Sequence, residues 1–246
     1  MSEEKATPRR EFLGQVAASA IVLAGAACAS PAATATTSAP AAAPATSNQQ
    51  QAPQGAPPPA PTTWDDSWFG KLTAKHKAVF DSPEINDGLV VSNAAGYIRG
   101  MRDAIGAGEN DVQAVLVLRH VAVVMFLNDA MWAKYELGKL RNVKESGDKF
   151  ATKNPFVGNA AARPASGSDR PQANLSWFAS RGHIILGCDL ATRGLAATLA
   201  RQTDAESNAV YAELKANMIA GIILQPTGVY ACHRAQEAGA TYIRST

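Results

Sequence analysis

From residue 77 onward, short apolar runs alternate with stretches in which apolar residues recur at helical spacing. Residues 112–120 are apolar almost without interruption, as in a strand that is covered on both faces of a sheet. Residues 88–105 instead carry apolar side chains three and four positions apart, which predicts an amphipathic helix. By the same criteria, strands are predicted at residues 77–81, 112–120, 183–187, 221–225 and 241–243. Helices are predicted at residues 88–105, 128–137, 174–181, 190–202, 207–218 and 227–237.

Strands that alternate with helices at this spacing indicate a mainly parallel sheet with helices on both faces. The predicted fold is therefore α/β, a three-layer α/β/α sandwich with about five mainly parallel strands and flavodoxin-like winding. Residues 139–173 interrupt the alternation with an Asn-Pro turn, several glycines and mixed charges. A connection of this length predicts an irregular insertion, either a lid or a floppy loop.

The first 63 residues have a different composition from the rest. Arg9 and Arg10, followed by Phe12, Leu13 and a short apolar run, resemble a twin-arginine export signal, so residues 1–30 are predicted to be a signal peptide. Residues 31–63 are rich in Ala, Pro, Thr and Gln and carry no charge, which predicts a disordered linker. Residues 64–246 then form a single domain.

This signal places the protein outside the cytoplasm, in the periplasm or an equivalent compartment. The small residues around Cys28 fit either plain cleavage of the signal or a lipoprotein box with acylation of Cys28. Both alternatives stay open, and membrane attachment is expected only through a lipid at Cys28.

Charge and motifs exclude several function classes. The formal net charge of +2 includes no basic run, so nucleic acid is not an expected partner. Phosphate-binding glycine loops, C-x-x-C pairs and metalloprotease motifs are missing from the sequence, and no cofactor is expected. The histidines lie far apart without ligand spacing, so no metal site is predicted.

Candidate chemistry lies where predicted strands end. Cys188 ends the third strand just before a helix, whose first amides and dipole favour a thiolate. Arg119 and His120 end the second strand and are candidate stabilisers of that thiolate. Thr227 and Gly228 follow the fourth strand as a helix start that could bind an anion.

Each residue also has a plainer interpretation. Cys188 can be a packing residue, His120 can satisfy buried backbone, Arg119 can pair with a surface carboxylate, and Thr227 can be only a helix cap. Cys232 is favoured as a packed thiol. Whether Cys188 and Cys232 form a disulfide stays open, because the distance between them cannot be read from sequence.

Three motifs resemble the DsrE/DsrF-like proteins related to intracellular sulfur oxidation. They are V-L-V-L-R-H at residues 115–120, G-H-I-I-L-G-C at 182–188, and Q-P-T-G-V at 225–229 with R-A-Q-E-A-G at 234–239. The resemblance implies the α/β/α fold, homo-oligomers, and a cysteine that carries sulfur as a persulfide between partner proteins. Cys188 is the residue at the matching position.

The leading functional prediction is an exported DsrE-like protein that handles sulfur or thiol redox chemistry through Cys188, with a sulfur donor or acceptor protein as partner. The alternative is a non-catalytic, homo-oligomeric binding or assembly module in which Cys188 is structural.

Overall fold

A computed structural model describes residues 63–145, 147–158 and 174–246 of the chain. The predicted signal residues Arg9, Arg10, Phe12 and Leu13, and the lipidation candidate Cys28, lie outside the described residues. So do the predicted linker up to residue 62 and residues 159–173 of the predicted insertion.

The strands form one five-stranded sheet in the order β4-β3-β2-β1-β5, and every pair in it is parallel. They are β1 (His76–Ser82), β2 (Val112–Leu118), β3 (Ile184–Cys188), β4 (Ile222–Gln225) and β5 (Thr241–Arg244). The prediction of an α/β fold with a parallel sheet is confirmed. The strand order differs from the 2-1-3-4-5 order of flavodoxin. In flavodoxin the second strand is the edge strand next to the first, whereas here the edge strand next to β1 is the last strand, β5.

Seven α-helices connect these strands in the described residues. They are α1 (Leu89–Ile105), α2 (Asp129–Lys134), α3 (Leu137–Leu140), α4 (Leu175–Ser180), α5 (Asp189–Thr203), α6 (Ser207–Ala216) and α7 (Gly228–Glu237). Helices α1 to α6 contribute to one apolar cluster on one face of the sheet, and α7 contributes to a second cluster on the other face. Successive side chains of a strand point to opposite faces of the sheet, so that Leu116 of β2 belongs to the first cluster and Val117 to the second.

The face that carries α7 is also covered by the segment that precedes β1. Trp68 in that segment is fully buried, and it packs with Val79, Val115 and the α7 residue Ala231. The guanidinium of Arg234 on α7 lies 4.2 Å from the ring centre of Phe69. A single helix and this segment together complete the third layer.

Two stretches differ in detail from the sequence prediction. The predicted helix at 128–137 ends at Lys134, and Glu136 adopts a left-handed backbone (φ 46°) before α3 begins. The described part of the predicted insertion packs into the core, since Asn154 donates from Nδ2 to the carbonyls of Met125 (2.7 Å) and Leu127 (2.6 Å). Side-chain hydrogen bonds therefore hold a stretch that has no regular helix or strand.

Candidate functional site

Because β3 and β4 are parallel neighbours, their carboxyl ends lie side by side. This is a switch point of the sheet, where the chain leaves two neighbouring strands toward opposite faces. The connection from β3 enters α5 on one face, whereas the connection from β4 enters α7 on the opposite face. Ligand crevices in open α/β sheets form where neighbouring connections diverge in this way. Cys188 and Gln225 are paired in register at this point.

Cys188 caps the N-terminus of α5. Its Sγ accepts a hydrogen bond from the backbone N–H of Ala191 at 3.4 Å, and its carbonyl accepts from Thr192 Oγ1 at 2.9 Å. The residue is only 6% exposed and its thiol is free. The sulfur therefore lies at the N-terminal end of α5, where the first backbone amides of the helix point toward it.

The start of α7 lies against the end of β2. Thr227 is the N-cap, as predicted, and its Oγ1 accepts from the backbone N–H of Tyr230 at 3.0 Å. A Cβ on Gly228 would lie 2.5 Å from Cβ of Arg119, so only glycine allows this approach. The backbone N–H of Leu190 donates to the carbonyl of Pro226 at 3.3 Å, which links the starts of α5 and α7.

Arg119 is held by a carboxylate that the sequence did not indicate. Its Nε and Nη2 donate to the two oxygens of Asp81 at 2.6 and 2.9 Å, and Tyr242 donates its hydroxyl to the same carboxylate at 2.7 Å. Burial by itself would raise the pKa of Asp81, but the hydrogen bonds from Arg119 and Tyr242 lower it overall. The hydrogen bond to Asp81, together with burial, raises the pKa of Tyr242 to about 12.

Cys232 belongs to this Asp81 network. Burial, reinforced by the Asp81 carboxylate, raises the pKa of its thiol to about 12. Both Cys188 and Cys232 are free thiols, so the disulfide left open by the sequence is not formed. The Arg119 guanidinium is hydrogen-bonded to Asp81, which also interacts with Cys232. The positive charge of Arg119 therefore interacts with the Cys232 thiol.

His120 pairs with a residue outside this network. Its Nδ1 lies 3.5 Å from Oε1 of Glu84, both side chains are exposed, and its backbone is left-handed (φ 52°). Within the described residues, no hydrogen bond or ion pair joins Cys188 to His120 or to Arg119. The structure therefore brings Cys188 next to Gln225 and the α7 start, and it gives the two predicted stabilisers other partners.

A second buried carboxylate fixes the beginning of α5. Asp189, which directly follows Cys188, accepts a hydrogen bond from the Tyr211 hydroxyl and another from Arg193 Nε at 2.7 Å. The Arg193 guanidinium lies 4.1 Å from the ring centre of Tyr211. The helix therefore begins at Asp189, one residue before the predicted start at residue 190, and the partner of Asp189 on α6 has no local signal in the sequence.

The described residues contain no cluster of three or more His, Cys, Asp or Glu side chains that could hold a metal ion. Among these same residues, no helix is long and apolar enough to cross a membrane.

The sequence matches no protein family model and no curated protein. Among solved structures, the comparison found the protein of unknown function MTH1491 from Methanobacterium thermoautotrophicum. That match has 14% sequence identity and a TM-score of 0.34, and it covers 69% of this chain and 98% of the other.

Proposed function

We propose that this protein carries sulfur, or exchanges thiols and disulfides, through Cys188. The observation that supports the proposal most is the hydrogen bond from the Ala191 amide to Cys188 Sγ at the start of α5. It supplies a donor and a favourable helix dipole at the sheet's switch point, where α/β proteins bind their ligands.

The contrast between the two thiols of the domain supports the same assignment. Burial and the nearby Asp81 carboxylate keep Cys232 protonated, with a pKa of about 12. Cys188 instead lies at a helix N-terminus, a position in which nucleophilic cysteines are found. Of the two, Cys188 is the one whose surroundings favour chemistry.

In the proposed reaction, the Cys188 thiolate attacks the outer sulfur of a donor persulfide. A new S–S bond forms on Cys188, the S–S bond of the donor breaks, and its electron pair leaves with the donor thiolate. An acceptor thiolate then takes the outer sulfur by the same exchange, which restores the Cys188 thiolate. The donor and acceptor are proposed to be partner proteins that dock on Leu190 and Val229, which begin α5 and α7 and are 63% and 68% exposed.

The proposed location is outside the cytoplasm, reached through the signal containing Arg9 and Arg10, with Cys28 as the alternative lipid anchor. Replacing both arginines by lysine is expected to retain the protein in the cytoplasm, because the export machinery reads the paired guanidinium groups. Normal export of that double variant would contradict the proposed location.

One observation favours the alternative of a non-catalytic binding or assembly module. Cys188 is 94% shielded from solvent while apolar Leu190 and Val229 beside it are exposed. On this account Cys188 only caps α5, and the exposed pair is the functional surface.

Treatment with inorganic polysulfide distinguishes the two proposals. The full chain in a Cys28→Ser background is exposed to polysulfide, and the added sulfur is located by mass spectrometry of its peptides. We expect one added sulfur atom on Cys188, which persists in Cys232→Ser and is lost in Cys188→Ser. A folded protein that gains no sulfur on Cys188 would leave the binding module as the better account.

A further inference from the structure

We propose that the outer edge of β4 is a subunit interface and that its occupant is a second copy of this chain. Strand β4 is at one end of the sheet and pairs only with β3 among the described residues. No backbone hydrogen bond from Ile222–Gln225 to another described element satisfies the groups that point outward. Such an edge is a template for another strand.

The composition around this edge is unusual for a solvent-exposed strand. No charged residue or histidine occurs between Lys215 and His233. From residue 216 to the end of β4, the partly exposed apolar residues are Met218, Ile219, Ile222, Ile223 and Leu224. Soluble proteins usually protect an open edge with a charged side chain or a proline, and parallel sheets are usually covered. Pro226 follows β4, but the strand residues Ile222–Gln225 themselves include neither a charge nor a proline.

The opposite edge of the sheet is protected. Strand β5 carries exposed Arg244, and its Tyr242 is committed to a hydrogen bond with Asp81. Of the two edges, β4 alone lacks a charged side chain on the strand itself.

Charge also selects a second copy as the occupant. In a two-fold interface the same surface meets itself, so any charge near the axis would meet its own copy. Antiparallel pairing of β4 with β4 places only uncharged residues there. Asp65, whose carbonyl accepts from Gln225 Nε2 at 2.9 Å, lies at the carboxyl end of the strand and would face the uncharged Ile222 end of the partner.

This interface does not depend on the proposed chemistry of Cys188. Antiparallel pairing puts the carboxyl edges of the two sheets at opposite ends of the assembly, so each Cys188 site is complete within one subunit.

Two isoleucines provide a matched pair of variants. Ile222 on β4 and Ile243 on β5 are both partly buried, both lie on edge strands, and both pack against the same core cluster. Ile222→Lys and Ile243→Lys should therefore cost similar folding stability, which thermal unfolding checks. Only the first places a charge at the proposed interface.

Light scattering coupled to size-exclusion chromatography measures the mass of the assembly. The wild-type chain of 25.7 kDa is expected to assemble with at least twice that mass. Ile222→Lys should halve the assembly mass, and Ile243→Lys should leave it unchanged. Amide hydrogen exchange should show protection at residues 222–225 that rises with protein concentration.

The proposal is overturned if the wild-type protein is monomeric at its highest soluble concentration. It is also overturned if Ile222→Lys keeps the wild-type mass, or if both variants dissociate to the same extent.

Discussion

Acidification should destabilise the domain through His183, which lies just before β3. Its Nδ1 accepts a hydrogen bond from the backbone N–H of Ala114 at 3.3 Å, which requires the unprotonated nitrogen. The ring packs against Phe178 and Trp177, with ring centres 5.3 and 5.8 Å away. Burial, assisted by the charge of Arg181, lowers the pKa of His183 from 6.5 to about 4.

The direction of the pH effect follows from that lowered pKa. Between pH 6.5 and about 4, the unfolded chain binds a proton at His183 that the folded protein does not, so stability falls as the pH falls. One pKa unit corresponds to ~1.4 kcal/mol, and partial exposure of the ring reduces the effect. We expect a loss of about 2 kcal/mol between pH 7.5 and pH 4.5 from this one group.

Urea unfolding at several pH values measures this contribution. His183→Asn keeps an acceptor for the Ala114 amide but does not titrate, so its free energy of unfolding should depend less on pH than that of the wild type. His233→Asn controls for the loss of an exposed histidine. The reasoning fails if wild type and His183→Asn show the same pH dependence.

Four further predictions concern residues that hold the domain together and a segment that is expected not to. Arg119→Met should lower the free energy of unfolding in urea by about 3 to 5 kcal/mol, because it leaves the buried Asp81 carboxylate without its cationic partner, and adding Asp81→Asn should recover part of that loss. Gly228→Ala should lower the Tm, since its Cβ would lie 2.5 Å from Arg119, whereas Gly194→Ala, whose Cβ meets open space in α5, should stabilise by about 1 kcal/mol; equal effects would contradict the packing argument. Trp68→Ala should cost about 3 to 5 kcal/mol in urea unfolding, because Trp68 is fully buried, while deletion of residues 1–63 should leave the Tm unchanged; a loss of several degrees on deletion would show that this region docks.

The sheet and most helices could be predicted from sequence because their signals are local. Strand β2 reads as an apolar run, and α1 shows helical spacing that ends at Gly106, which has a left-handed backbone (φ 68°). Thr227 was identified as the N-cap of α7 by residue type alone. These features depend on residues close together in the chain.

Features that depend on distant partners could not be predicted. Arg119 binds Asp81 across 38 positions of sequence, so its commitment to that carboxylate and not to Cys188 has no local signal. The fixed position of Asn154 likewise comes from the carbonyls of Met125 and Leu127, more than 25 positions earlier in the chain, at the end of a short 3-10 helix (His120–Phe126). The order of the strands, which puts β5 outside β1, is also a property of the whole fold.

Alkylation of the native protein tests most directly whether Cys188 is a reactive thiol. The full chain carrying Cys28→Ser and Cys232→Ser is treated with iodoacetamide over a range of pH, and the labelling rate is compared with that of the same chain unfolded in urea. We expect Cys188 to be labelled in the folded state as well as in the unfolded chain, because its sulfur lies at the start of α5 between the carboxyl ends of β3 and β4. Labelling of Cys188 only after unfolding would contradict the account and make this cysteine a helix cap alone.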